Sequence, residues 1–170
     1  MKADFVKVIC LGVLALVLQG CFVSTEPVLK VKDADYPFKT ITFEAENKAV
    51  TLSRKGDVYR NEADDDSPDY LFKKIEDGLY IGQAAGKDKK GRAETLYTIV
   101  RITPENIELI LPTCSDADEA DLKAAGIEKQ DKWFIDQCKI ESLAQMKALA
   151  KEIKGKDNKT QILIIKNITK

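Results

Sequence analysis

The chain has no histidine in its 170 residues, and no other absence excludes as much. Without an imidazole there is no Ser-His-Asp or Cys-His arrangement, and the common zinc sites lose a preferred ligand. There is also no Gly-x-Ser-x-Gly elbow and no Cys-x-x-Cys pair. Gly86-Lys-Asp-Lys-Lys-Gly91-Arg92 lacks the order of a phosphate-binding loop and reads as a basic hairpin tip. An excess of either charge is missing too. The 27 Lys and Arg against 28 Asp and Glu leave a net charge of −1, so no basic field exists to attract nucleic acid. Long apolar runs are equally scarce. The longest, residues 8–18, would form a helix of roughly 16 Å, against about 30 Å of bilayer hydrocarbon, too short for a permanent span.

That run does have a place in the sequence. Lys2 and Lys7 stand before or at its start and Gly20 follows it, which is the three-part plan of a secretory signal. The next residues, Leu18-Gln19-Gly20-Cys21, resemble the lipobox of bacterial lipoproteins. The resemblance implies that residues 1–20 are removed and that a diacylglyceryl group is attached to the Cys21 thiol. It also implies a fatty acyl group, of the palmitate type, on the new amino terminus. Each buried methylene is worth about 0.8 kcal/mol, so two or three chains hold a protein stably on a membrane. Phe22 rather than Asp follows the cysteine, which in that family favours the outer membrane; the domain is expected to face the periplasm.

Removing the leader takes Lys2, Lys7 and Asp4 with it and leaves a net charge of −2. At 44% hydrophobic and 32% charged residues, the remainder is globular in composition and of single-domain size. Residues 21–37, with two prolines and no clean periodicity, read as a lipidated tether, and residues 38–170 as one domain. Of four cysteines, Cys10 leaves with the leader and Cys21 takes the lipid. Cys114 and Cys138 remain, and in an oxidising compartment they are expected to form a disulfide worth about 3 kcal/mol.

From Phe38 the chain alternates apolar and polar residues, with Phe38, Ile41, Phe43 and Ala45 on one face. Turns are marked at Asn47-Lys48, at Lys55-Gly56-Asp57, at Asp77-Gly78 and at Pro104-Glu105-Asn106. Up to Leu111 this is an antiparallel meander. Residues 61–69 form a loop with five acids, Glu62, Asp64, Asp65, Asp66 and Asp69. It lacks the order of a calcium loop and reads as a solvated surface rather than a cation site. Ser115 is expected to cap a helix that ends at Gly126, and Ser142 to Gln145 is a capping box opening a second, amphipathic helix. The run 133–135 is a short strand or buried loop. Residues 161–168, with Ile162, Leu163, Ile164 and Ile165 in a row, suggest a strand buried on both faces. The fold class expected is α+β: an antiparallel meander-like sheet, partly closed as a variant, with two helices packed on it.

These features point away from catalysis, and no cofactor, metal site or catalytic residue is expected. Two functions remain. The first is a non-catalytic envelope module, anchored through Cys21 and acting by contact with another envelope protein. The alternative is a lipocalin-like carrier whose curved sheet encloses a small ligand. The interior discriminates between them: a void of a few hundred cubic ångströms lined by the faces of Val50 and Leu96 favours the carrier.

Overall fold

A computed structural model describes residues 22–45, 47–87, 91–132 and 135–170. Its architecture corrects the α+β expectation: the domain is mostly β, built on a closed barrel of eight antiparallel strands. Strand β1 (Phe22–Ser24) precedes the barrel. Strands β2 (Thr40–Ala45), β3 (Lys48–Lys55), β4 (Val58–Asn61), β5 (Asp69–Glu76), β6 (Leu79–Lys87), β7 (Ala93–Ile102) and β8 (Asn106–Ile110) follow as the meander the turns implied. The chain then forms helix α1 (Glu119–Ala124), strands β9 (Glu128–Lys132) and β10 (Ile135–Lys139), helix α2 (Leu143–Glu152) and strand β11 (Thr160–Thr169). β11 returns to lie antiparallel between β8 and β2, and this pairing closes the barrel.

The reason for closure is the shortage of helix. Each meander strand turns one apolar face the same way, and helices of 6 and 10 residues cannot cover a sheet of this width. Curling the sheet on itself buries that face and also removes both edges. The turns behave as read: Gly56 (φ 64°) and Gly78 (φ 74°) supply the left-handed residues of two-residue hairpins between β3 and β4 and between β5 and β6.

β7 is where the barrel branches. One edge pairs with β6 along its whole length. On the other edge Ile99–Ile102 pairs with β8, while Thr95–Tyr97 pairs with β1, which runs parallel to β10 and so carries β10 and β9 outside the barrel. The helices pack over the outer face of β6 and β7, where Leu79, Ile81 and Ile99 join Leu122, Met146 and Leu149 in one buried cluster. The Cys114–Cys138 disulfide lies in that cluster, with Cα atoms 5.6 Å apart and both cysteines fully buried.

Local details differ from expectation in three places. Thr113, not Ser115, makes the first cap, closing a capping box with Asp116 over a single 3-10 turn, and α1 begins after Asp118. The Ser142–Gln145 box stands as read: Ser142 Oγ accepts from the Gln145 amide, and Gln145 Oε1 accepts from the Ser142 amide. Strand β11 is not buried on both faces. Leu163 and Ile165 turn inward, but Ile162 and Ile164 face outward and are 55% and 52% exposed, because the helix layer covers β6 and β7 and stops short of β11. The third concerns residues 22–37, expected as a tether. Phe22 and Leu29 are each only 1% exposed. The Leu29 backbone exchanges two hydrogen bonds with the Gln83 amide (2.8 and 3.0 Å), and the Asp35 amide donates to the Phe72 carbonyl (2.7 Å). This segment is a strap laid over the barrel, held because Gln83 and Tyr97 offer polar partners on an otherwise apolar outer face.

Candidate functional site: the barrel interior

The strands' two-residue period decides what the interior contains. Alternate residues point inward, so β7 contributes Leu96, Thr98, Val100 and Ile102, and β3 contributes Val50 and Leu52. Around them the barrel encloses a cavity of about 380 Å³ with a mainly apolar lining. Both Val50 and Leu96 are on its wall.

The space exists because β6 is nearly bare on this face. Its inward positions after Tyr80 are Gly82, Ala84 and Gly86, opposite Thr98, Leu96 and Glu94 on β7. A Cβ on Gly82 would stand 3.3 Å from Thr98 Cγ2 and 3.7 Å from Phe72, inside the cavity wall. Gly82 keeps that volume empty.

One end of the barrel is sealed. The strap enters it with Phe38, whose ring lies 4.4 Å from that of Tyr59 and 5.6 Å from that of Phe72, centroid to centroid. Tyr59 donates its hydroxyl to the Phe38 carbonyl, which fixes the plug to the wall; burial outweighs this bond and raises the Tyr59 pKa. Beneath the plug the Arg54 guanidinium sits 3.6 Å from the centre of the Tyr36 ring. Cation and aromatic face attract one another there, so the charge of Arg54, an exposed residue, is engaged at this end of the barrel and not in the cavity.

The other end is the mouth. It lies where β2 turns into β3, β4 into β5 and β6 into β7, as strand direction requires. Lys48, Asp64, Ser67 and Gln161 reach the lining here. Tyr70 stands just inside. Burial pushes its pKa up to about 12, the Asp64 carboxylate adds to the rise and a hydrogen bond with Ser67 opposes it, so the phenol is neutral at ordinary pH. The Asp64 carboxylate also accepts from the Asp66 amide at 3.0 Å, holding the acidic loop in a turn.

The residues singled out in the sequence fall in different places. Cys21 and the leader lie outside the described residues, as do Asp88, Lys89 and Lys90 of the basic tip and Trp133 and Phe134 of the run 133–135. Cys114 and Cys138 are joined, as expected, in the outer cluster and away from the cavity. The acidic loop 61–69 borders the mouth, beside the start of the basic tip, where Gly86 approaches Pro68. Among the described residues no group of Asp, Glu or Cys side chains is arranged to hold a metal ion. Sequence reasoning missed Gly82 and Ala84. The signal was present: Tyr80, Gly82, Ala84 and Gly86 alternate along β6, and small residues on an inward face leave a barrel hollow.

Compared with protein-family models, curated proteins and solved structures, the chain matches none. Its class rests on its own geometry, that of an eight-stranded antiparallel barrel with an apolar internal cavity open at one end.

Proposed function

We propose that this protein binds a small apolar molecule inside its barrel and is held at the cell envelope by a lipid on Cys21. The observation that carries the binding half is the hollow, mostly apolar interior of about 380 Å³, within the size range of small-molecule sites. A chain that needed only a stable body would gain by filling this space, since interiors normally pack close to crystal density. The anchoring half rests on Leu18-Gln19-Gly20-Cys21 after a basic leader and an apolar run. Together they describe a membrane-tethered carrier, with binding rather than catalysis as its activity.

The test is titration of the Cys21→Ser chain with the uncharged dye phenylnaphthylamine, whose emission rises in dry surroundings. Saturable one-site binding is expected, and Gly82→Leu or Ala84→Leu, each filling the cavity, should abolish it. Binding that does not saturate, or that survives both substitutions in folded protein, defeats the reading. The same Cys21→Ser change should move the protein out of the membrane fraction, and continued membrane association would remove the anchor. A contact-module reading draws support from the outward Ile162 and Ile164 on β11, a two-residue patch far smaller than interfaces usually use.

A further inference from the structure

A lipid on Cys21 joins the domain at a defined place, and the barrel wall beside that place carries exposed isoleucines. The inference rests on the anchoring half of the reading above. Cys21 is bonded directly to Phe22, so their Cα atoms stand about 3.8 Å apart. Phe22 is only 1% exposed, and its strand is paired on both edges, with β7 and with β10. No slack therefore separates a lipid on Cys21 from the folded body, and the surface around Phe22 must lie close to the bilayer.

The register says which surface that is. β1 and β8 lie along the same edge of β7, Ile110 opposite Ile99 and Phe22 opposite Tyr97, so β1 begins where β8 ends. On its other edge β8 pairs with β11, where Ile162 is opposite Glu108. Counting strand rise and strand spacing, Phe22 stands roughly 14 Å from Ile162, and the chain enters Phe22 from that side. Ile162 and Ile164 face outward there, 55% and 52% exposed, while the third exposed large apolar residue described, Val31 at 43%, is on the strap. Between Leu29, bonded to Gln83 of β6, and Asp35, bonded to Phe72 of β5, Val31 crosses the wall opposite β11.

Both edges of β11 are paired, so the strand offers side chains and no free backbone. Its acidic neighbours are neutralised in place: Glu108, opposite Ile162, is paired with Arg101 at 3.1 Å, and Glu44, opposite Ile164, with Lys166 at 2.9 Å. Two isoleucines are too few for a protein partner, but beside a covalent lipid they need only enter the outer edge of the hydrocarbon. We infer that the outer face of β11 is a membrane-contact surface: Ile162 and Ile164 dip into the bilayer that holds Cys21, and the strap side of the barrel faces away from it.

The experiment places the lipidated full chain, carrying Ile162→Cys, Ile164→Cys or Val31→Cys, in phosphatidylcholine vesicles and follows reaction with a sulfonated maleimide. Cys114 and Cys138 are joined and Cys21 is a thioether, so the introduced thiol alone reacts. The two β11 thiols are expected to react about tenfold more slowly than the strap thiol in vesicles. In the soluble chain that also carries Cys21→Ser, the three rates should agree. Equal rates in vesicles, with the acyl groups confirmed by mass spectrometry, overturn the membrane contact and leave the anchor standing. Protection that rises with the protein-to-lipid ratio assigns the face to a second copy of the chain and overturns it as well. A purified chain without acyl groups removes the anchor, and this inference with it.

Discussion

The two faces of β6 and β7 belong to different kinds of interior. On the outer face Leu79, Ile81, Tyr97 and Ile99 are buried beneath the helices, the strap and the disulfide, in a filled layer. On the inner face Ala84, Leu96 and Thr98 belong to the same strands and alternate with them, yet they look into open space. The outer layer is filled, and so is the floor of the barrel, where Phe38, Tyr59, Phe72 and Val100 pack in a second buried cluster; the part of the inward wall nearer the mouth is left free for a guest. The difference is useful to a binding protein, because a site whose side chains do not hold the fold together can be shaped for its ligand at small cost.

The sharpest way to break this comparison is to make the same truncation on each side. Leu149→Ala, in the filled layer, should cost about 3 kcal/mol, whereas Leu96→Ala, which only enlarges an existing void, should cost about 1 kcal/mol. Urea unfolding of both variants measures this, and equal losses would mean that the inner wall is as tightly packed as the outer layer. A smaller effect tests whether the strap belongs to the outer layer. Gln83→Leu leaves the buried Leu29 amide and carbonyl without partners and should lower stability by about 2 kcal/mol. Loss of protease protection across residues 27–35 should accompany it; a variant as stable as the parent would make the strap a passive cover.

The smallest effect concerns Tyr70, on the hollow side. Its folded pKa, about 12, lies above the ordinary tyrosine value, so the stability it contributes is fully present below pH 10 and is lost as pH rises through 12. Ultraviolet titration of the phenolate should show Tyr70 ionising late, and Tyr70→Phe should flatten the decline in stability between pH 10 and 12. An ordinary Tyr70 titration would mean that water fills the mouth freely.

Much of this organisation was legible residue by residue. Gly56 and Gly78 marked two-residue hairpins because few other residues accept the left-handed conformation those turns need. Ser142 with Gln145 announced α2, and the two cysteines left after Cys10 and Cys21 had only each other. What escaped reading depends on partners distant in sequence. Residues 22–37 show no periodicity of their own, because a strap follows the surface it crosses; only Gln83 and Tyr97, some fifty to seventy positions away, explain where Leu29 and Val28 lie. The run Ile162 to Ile165 looked doubly buried because four apolar residues in sequence say nothing of whether a helix layer reaches that strand. Gly82 and Ala84 are ordinary strand residues until the barrel closes and places them around one space.

The sequence by itself determined the meander, its turns, the α2 cap and the pairing of Cys114 with Cys138, since each follows from local conformational preference or from a count of available thiols. Only the tertiary structure decided that the sheet closes, that the closing strand is β11, and that the strap and both helices lie outside. The hollow centre was decided there too. Alternation states which residues share a face, but whether that face meets helices, solvent or its own far side depends on long-range pairing, and whether the enclosed space is filled depends on side-chain sizes contributed by strands far apart in the chain.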